Sequence, residues 1–206
     1  MLKLYGCKGC GSAAIEAALQ LLGRPFEMIR WDWEDQAGWA RLAKINPLRQ
    51  VPTLQLDDYG VVTESAAILL WLLEERVDSG FCPPRSSPQY AQFLRWLVFL
   101  TANIYAPIGI GDFPERWLAL EAARESLRHG TIERSKAAWL LFEESIHPSP
   151  FLLGETLSFL DLYVAMLTRW RPGRPWILEH CPKIAQAVLA TESNPIVAGV
   201  WKDNFA

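Results

Sequence analysis

The chain changes texture near residue 80, and that change limits the folds open to it. Before it, short strand-like runs alternate with helical patterns; after it, every periodic stretch reads as helix. Leu2-Lys3-Leu4-Tyr5 alternates as a short half-buried strand does. After a loop at residues 6–11, the segment from Ser12 to Leu22 is rich in alanine and leucine, the best helix formers. Ser12 suits the cap at its start, and Gly23 suits the left-handed position just past its end. Phe26 to Arg30 reads as a second strand. A strand–helix–strand crossover this short requires parallel pairing and a right-handed connection.

Gln36 to Ile45 carries a helical pattern that stops at Asn46-Pro47, where the residue before proline is pushed out of the helical region. Val51 to Leu56, Asp57 to Gly60 and Val61-Val62 read as strand, turn, strand. Glu64-Ser65 then opens an apolar helix that runs to about Arg76, so the order is β-α-β-α-β-β-α. Residues 78–87, with Gly80, Pro83, Pro84 and two serines, have the composition of a linker. Beyond it, Pro88 to Tyr105 reads as one long helix ended by Pro107, Gly109 and Gly111. Pro114 starts another, broken or bent at His129-Gly130 and finished before Pro148. Ser158 and Asp161 form a capping-box pattern, with Leu157 and Leu162 placed as a hydrophobic staple. Further helices are expected from Pro182 and from Pro195. The expected organisation is an α/β domain over 1–77, a linker over 78–87 and an all-helical domain over 88–206.

A chain of 206 residues can bury a large core without disulfides or metals. Lys and Arg total 20 against 23 Asp and Glu, a net charge of −3. Nothing in that balance favours nucleic acid or an anionic membrane as a partner. No stretch approaches 18 uninterrupted apolar residues, and the first residues lack a signal peptide's apolar core. With four cysteines, too scattered for a disulfide framework, the expectation is a cytoplasmic protein with reduced thiols. Tryptophan is the outlier, at 10 residues. Trp31, Trp33, Trp39 and Trp71 precede the linker and six follow it, which reads as packing between helices.

The loop after the first strand supports two chemical readings. Gly9-Cys10-Gly11-Ser12-Ala13-Ala14 fits G-x-G-x-x-A, with Asp32 about where a ribose-binding acid would stand. A dinucleotide fold needs a second set of parallel strands, and the helical second half supplies none. Cys7-x-x-Cys10 between strand and helix is instead the thioredoxin-like redox spacing. Unpaired N–H groups at a helix start favour a thiolate, so Cys10 is the expected reactive thiol and Cys7 its resolving or packing partner. Zinc is not expected, because no second Cys or His pair follows at ligand spacing.

Three further motifs carry a family resemblance. Val51-Pro52-Thr53-Leu54 resembles the V-P-x-L signature of glutathione transferases, in which the proline is cis and the residue before it meets the cysteine of glutathione. Glu64-Ser65 is similar to the family's acidic residue and serine, which hold the γ-glutamyl end at a helix N-terminus. Ser158-x-x-Asp161 is similar to the capping box in the family's helical second domain.

The resemblance implies a thioredoxin-like domain followed by an all-helical one, with glutathione as co-substrate and no metal. Gln50 matches the position facing the glycyl carboxylate, with Arg49 beside it; Ser12, Val51, Pro52, Glu64 and Ser65 complete the implied glutathione site. Asn103 and Tyr105 are the implied wall for a small-molecule co-substrate, and the expected assembly is a homodimer using Ala66, Ala67, Leu70 and Arg95. Family members activate glutathione with a tyrosine, serine or cysteine in this region, where Tyr5, Cys7, Cys10 and Ser12 all stand. Bacterial relatives often carry Gly-Ser-Gly-Ser where this chain has Gly9-Cys10-Gly11-Ser12, so Cys10 replaces a hydroxyl. Tyr5 lies within a strand, where packing is the expected role. The reading is a glutathione-dependent transferase acting on an electrophilic, disulfide or glutathionylated substrate, as the family does in detoxification. Two alternatives stay open: a non-catalytic glutathione-binding or scaffold protein, and a glutaredoxin-like disulfide reductase using Cys7 and Cys10.

Overall fold

The computed structural model describes residues 1–57 and 60–205, so Asp58 and Tyr59 of the expected turn lie outside the described residues. The chain divides into two compact units. One comprises Met1–Phe81 and Glu192–Ala206; the other is Cys82–Thr191.

The first unit follows the expected order: β1 (Leu2–Cys7), α1 (Ser12–Leu21), β2 (Phe26–Trp31), α2 (Gln36–Ala43), β3 (Thr53–Gln55), β4 (Val61–Val62) and α3 (Ser65–Glu75). The strands lie in the order β2-β1-β3-β4. β1 and β2 run parallel, with Leu2 beside Phe26 and Cys7 beside Trp31. β3 is antiparallel to both β1 and β4. Because side chains alternate across a strand, Leu4 and Gly6 face one side of the sheet, while Tyr5 and Cys7 face the other. On the second side Tyr5, Cys7, Cys10, Trp31, Trp39 and Leu42 form one buried cluster.

Two local expectations change here. Gly11, not Ser12, is the N-cap of α1, and it makes no side-chain cap bond; Ser12 is the first helical residue. The reason is contact with β1: a Cβ on Gly6 would lie 2.1 Å from Ser12 Oγ, so Ser12 is seated directly on that glycine. Gly23 does take the left-handed conformation expected of it, with φ of 59°. The last helix, α10 (Pro195–Phe205), packs on α1 and so belongs to the first unit, although its sequence lies beyond the helical segments that follow the linker.

In the second unit, α4 (Pro88–Leu100) passes through a π-helical turn (Thr101–Tyr105) into α5 (Ala106–Asp112). Pro107, the expected end of the helix, does not end it. It falls at the start of α5, where its missing N–H is tolerated, and the wider π turn precedes it. The run Pro88–Asp112 is long and apolar enough by composition to cross a membrane, but a core helix passes the same test. Phe93, Trp96, Leu97, Leu100 and Ile104 along it are fully or almost fully buried.

Pro114 opens only a 3-10 turn, Pro114–Arg116, followed by another at Glu121–Ala123. The long helix α6 (Arg124–Ser145) runs through His129-Gly130, so of the break or bend expected there the break does not occur. One interior glycine costs about 1 kcal/mol against alanine, too little to end a helix of 22 residues packed on α5. α7 (Phe159–Leu167) starts at the expected capping box. α8 (Arg174–His180) was not foreseen; it starts after Gly173, whose φ is 106°. α9 (Pro182–Glu192) begins where expected.

Candidate functional site

Register places the candidate residues of the first unit at one end of the sheet. Tyr5 pairs with Thr53 across β1 and β3, so the cysteine loop that leaves β1 and the Val51-Pro52 segment that enters β3 lie at the same end. Leu54 pairs with Val62, which brings the exit of β4, and with it Glu64 and Ser65, to that end as well.

The cysteine loop is held tightly. Gly9 allows its turn with a φ of 71°. Cys10 Sγ accepts a hydrogen bond from the Cys7 N–H at 3.1 Å and lies 3.1 Å from Ser12 Oγ. Trp33 Nε1 donates to the Lys8 carbonyl, and Trp39 Nε1 donates to the Trp33 carbonyl. Trp31 meets Trp39 edge-on, with ring centroids 5.3 Å apart. Trp33 therefore braces the loop directly, with Trp39 holding Trp33 and Trp31 packed on Trp39.

Burial decides the state of the thiols. Cys7 is fully buried, and loss of solvation pushes its thiol up to about 12, with Cys10 and Asp32 adding to the rise and Arg30 opposing it. Cys10 is only 5% exposed. Desolvation pushes its thiol up as well, while hydrogen bonds from Ser12 and Cys7 and the Arg30 charge pull it back. The expected depression by the helix start is outweighed by burial. Burial therefore favours the neutral form of both sulfurs over the thiolate that a helix start alone would favour. Tyr5 donates its phenol proton to Gln55 Oε1 at 2.8 Å and sits in the buried cluster, as its strand position implied.

The Val51–Pro52 peptide bond is cis, as the resemblance implied. The loop before it is organised by Asn46, a buried residue that sequence reasoning missed. Its Nδ2 donates to the Gln50 carbonyl and to Thr53 Oγ1, and its Oδ1 accepts from the Leu48 N–H. Thr53 Oγ1 donates in turn to the Gln50 carbonyl. The outcome is an exposed Gln50 and a half-buried Val51 on a pinned backbone. Asn-Pro reads only as a helix stop, so the second use of Asn46 had no sequence signal. Glu64 is exposed and holds a φ of 63°, unusual for a residue with a side chain; Ser65 beside it is buried at the first position of α3. Such conformations persist where the surroundings enforce them, most often at ligand-binding positions. An exposed carboxylate, a helix start and an exposed amide at one end of a sheet can take the amine and carboxylate groups of a small peptide.

Asn103 and Tyr105 lie in the other unit, on the π-helical turn. Asn103 donates to the Phe99 carbonyl and accepts from Arg134. The Tyr105 ring lies 5.0 Å from Trp170 and 6.2 Å from Tyr163. Among the described residues, no group of three or more His, Cys, Asp and Glu side chains is disposed to hold a metal.

Known proteins resemble this chain in sequence and in fold. The family model for the glutathione S-transferase N-terminal domain matches residues 12–76. YncG, an uncharacterized GST-like protein of Escherichia coli K12, is 34% identical over 99% of this chain and 98% of its own. The glutathione S-transferase GstA of Escherichia coli O157:H7 is 23% identical over 95% of each chain. Among solved structures, a glutathione transferase homolog from Sulfitobacter with bound glutathione aligns at a TM-score of 0.89 and 25% identity, over 100% of this chain and 99% of that one. A glutathione transferase from Methylococcus capsulatus aligns at 0.75 and 26% identity, over 99% and 98%. With a relative of that identity matching end to end and a family model matching its first domain, this chain belongs to the glutathione S-transferase superfamily.

Proposed function

We propose that the protein is a cytoplasmic, homodimeric glutathione transferase in which Cys10, as a neutral thiol, donates an S–H hydrogen bond to the sulfur of bound glutathione and keeps its proton. The observation that carries this reading is the placement of Cys10: a sulfur just before α1, held by the Cys7 N–H and 3.1 Å from Ser12 Oγ, at the same end of the sheet as Val51-Pro52 and Glu64-Ser65. Gln50, the Val51 backbone, Pro52, Glu64 and Ser65 at the same end of the sheet hold the peptide, with the glycyl end on Gln50 and the γ-glutamyl end on Glu64 and Ser65.

A thiol ionises near ~8.5 in water, and a donor aimed at its sulfur favours the thiolate. The glutathione proton leaves to solvent, the sulfur attacks an electrophilic carbon, a C–S bond forms and the leaving group departs with its electron pair. On a disulfide or glutathionylated substrate the same thiolate attacks sulfur, and the S–S bond breaks to release a thiolate.

Cys10→Ala tests this. Losing a hydrogen bond to a charged group costs about 1.5–3 kcal/mol, so kcat for glutathione conjugation to a chloronitrobenzene falls roughly tenfold to hundredfold. The KM for glutathione stays within about twofold. Unchanged kcat across both conjugation and disulfide exchange sinks the proposed role of Cys10. One observation favours a second reading, a glutathione-binding protein without turnover: Ser12 is fully buried and Cys10 nearly so. In that case calorimetry detects glutathione while no electrophile or disulfide in a broad panel is turned over. A two-cysteine reductase is the least supported, because Cys7 is fully buried and its thiol pushed up to about 12.

A further inference from the structure

Beneath the cysteine loop lies a charged cluster that no part of the glutathione site uses. Glu16, on α1, is almost fully buried, and its Oε2 accepts from Arg30 Nη2 at 2.5 Å and from Asn204 Nδ2 at 3.0 Å. Asn204 is itself 4% exposed and lies near the end of α10, 188 positions along the chain from Glu16. A buried carboxylate is costly unless paired, and pairing one with a guanidinium on a neighbouring strand fixes where that cation sits.

The sheet register locates the cation. Arg30 is opposite Gly6 in the parallel β1–β2 pair, so the two residues face the same side of the sheet. Adjacent strands are about 4.8 Å apart. Ser12 Oγ is seated on Gly6, where any Cβ would meet it at 2.1 Å, and Cys10 Sγ is 3.1 Å from that hydroxyl. A path thus runs from Glu16 to the Arg30 side chain, across the Arg30–Gly6 strand pairing, and through Ser12 to the Cys10 sulfur. The loop is closed from α10 too: a Cβ on Gly9 would lie 3.9 Å from the Asn204 carbonyl oxygen.

We propose that Glu16 and Arg30 are positioning residues for Cys10, the pair clamped by Asn204 so that a fixed cation with a fixed counter-charge stands behind Gly6 and Ser12, whose hydroxyl meets the Cys10 sulfur. The inference rests on the reading of Cys10 as the thiol that meets glutathione. Other ionisable groups around the loop are Cys7 and Tyr5 on β1, Asp32 just past β2, and the exposed Lys8. On α10, Lys202 and Asp203 are exposed. The Arg30 charge favours an ionised sulfur at both Cys10 and Cys7.

The test follows the Cys10 Cβ resonance in protein labelled with [3-13C]cysteine as pH is raised, the signal being assigned by its loss in Cys10→Ser. The shift reports ionisation of a thiol however buried it is. Arg30→Gln is expected to raise the midpoint by about half a pH unit or more, about threefold in the ionisation constant. Glu16→Gln, which removes the anion and leaves the cation, lowers it by a similar amount, and Arg30→Lys stays near the native value. Opposite signs from the two halves of one ion pair are what mere loosening of the loop would not produce. If Arg30→Gln does not fold, a lowered midpoint in Glu16→Gln alone supports the proposal, and an unchanged or raised one overturns it. Shifts of the same sign, no shift in either variant, or no Cys10 titration below the pH of unfolding also overturn it. Failure of the native protein to bind glutathione by calorimetry would instead sink the proposed function, leaving the titration readable.

Discussion

Two buried polar clusters in this molecule solve the same problem with different completeness. Around Asp161, which is 1% exposed, the donors and acceptors match. Oδ1 takes the Leu152 N–H at 2.8 Å, and Oδ2 takes the Ser158 N–H at 2.9 Å and the Ser158 hydroxyl at 2.6 Å. Around Glu16 they do not. Arg30 Nε and Asn204 Oδ1 are buried without a hydrogen-bond partner among the described residues. A fully satisfied cluster holds a helix start and its neighbouring loop in one geometry. Unmatched groups beside a candidate site mark a place where placing a charge outweighs completing every local hydrogen bond. The first cluster should therefore fail through stability when mutated, and the second through the behaviour of the neighbouring thiol.

The largest effect is expected at Asp161. Asp161→Ala leaves the Leu152 and Ser158 N–H groups buried without acceptors and removes half of the capping box. Each orphaned donor costs about 1–3 kcal/mol, so about 4 kcal/mol of stability is lost, measured by denaturant unfolding. A loss below about 1 kcal/mol would remove the contrast between the clusters. The milder Asp161→Asn carries a pH signature. Burial raises the Asp161 carboxyl from 3.8 to about 6, against the pull of its hydrogen bonds. Between those values the unfolded chain has lost a proton that the folded one keeps, so the contribution of this group to stability falls as pH rises and levels off above pH 6. Asp161→Asn lacks that slope, and its cost relative to the native protein shrinks from pH 4 to pH 7.

Asp161 and Glu16 also mark what a sequence shows and what it hides. Ser158 and Asp161 are three residues apart, a spacing that one helical turn converts directly into contact, so that cluster was legible. So were the four strands and the left-handed Gly23, each signalled within a few residues, while the cis Val51-Pro52 came from the family resemblance. Glu16 reads as one polar position on an otherwise apolar helix, and nothing within reach of periodicity links it to Asn204. Asn46 was visible as a helix stop but not as the residue that pins Gln50 and Thr53. The continuation through Pro107 was hidden for a different reason: a π turn changes the hydrogen-bond register without leaving a compositional trace. The reactivity expected of Cys10 came from its place at a helix start. Its burial, which opposes that effect, comes with Trp31 and Trp39 packing into the same cluster from another part of the chain.

Gly6→Ala comes next in size and attacks the junction between Ser12 and the sheet. The new Cβ would lie 2.1 Å from Ser12 Oγ and 2.4 Å from Ser12 Cβ, in a region where Ser12 and Cys7 are fully buried. Overpacking of this kind costs about 1–3 kcal/mol. Since Ser12 must move, Cys10 loses its 3.1 Å neighbour. Stability and the Cys10 titration should therefore change together, unlike in the charge variants of Glu16 and Arg30. A folded Gly6→Ala protein with native stability would show that α1 can slide along β1, and that the path from Arg30 to Cys10 is not rigid.

Asn204→Ala should be the smallest of the three. The variant loses the bond to Glu16 Oε2 at 3.0 Å and the one to the Val200 carbonyl at 2.9 Å. It also deletes Oδ1, the buried acceptor with no partner among the described residues, and that relief offsets part of the loss. The Glu16–Arg30 pair remains, so no charge is left buried alone. The net cost is about 1 kcal/mol, a quarter of that at Asp161, read in the same unfolding experiment. Loss of the clamp also lets the guanidinium wander, which broadens or shifts the Cys10 titration while the fold holds. A cost matching that of Asp161→Ala, with an unmoved titration, would make the Glu16 cluster a second structural joint and erase the distinction between the two regions.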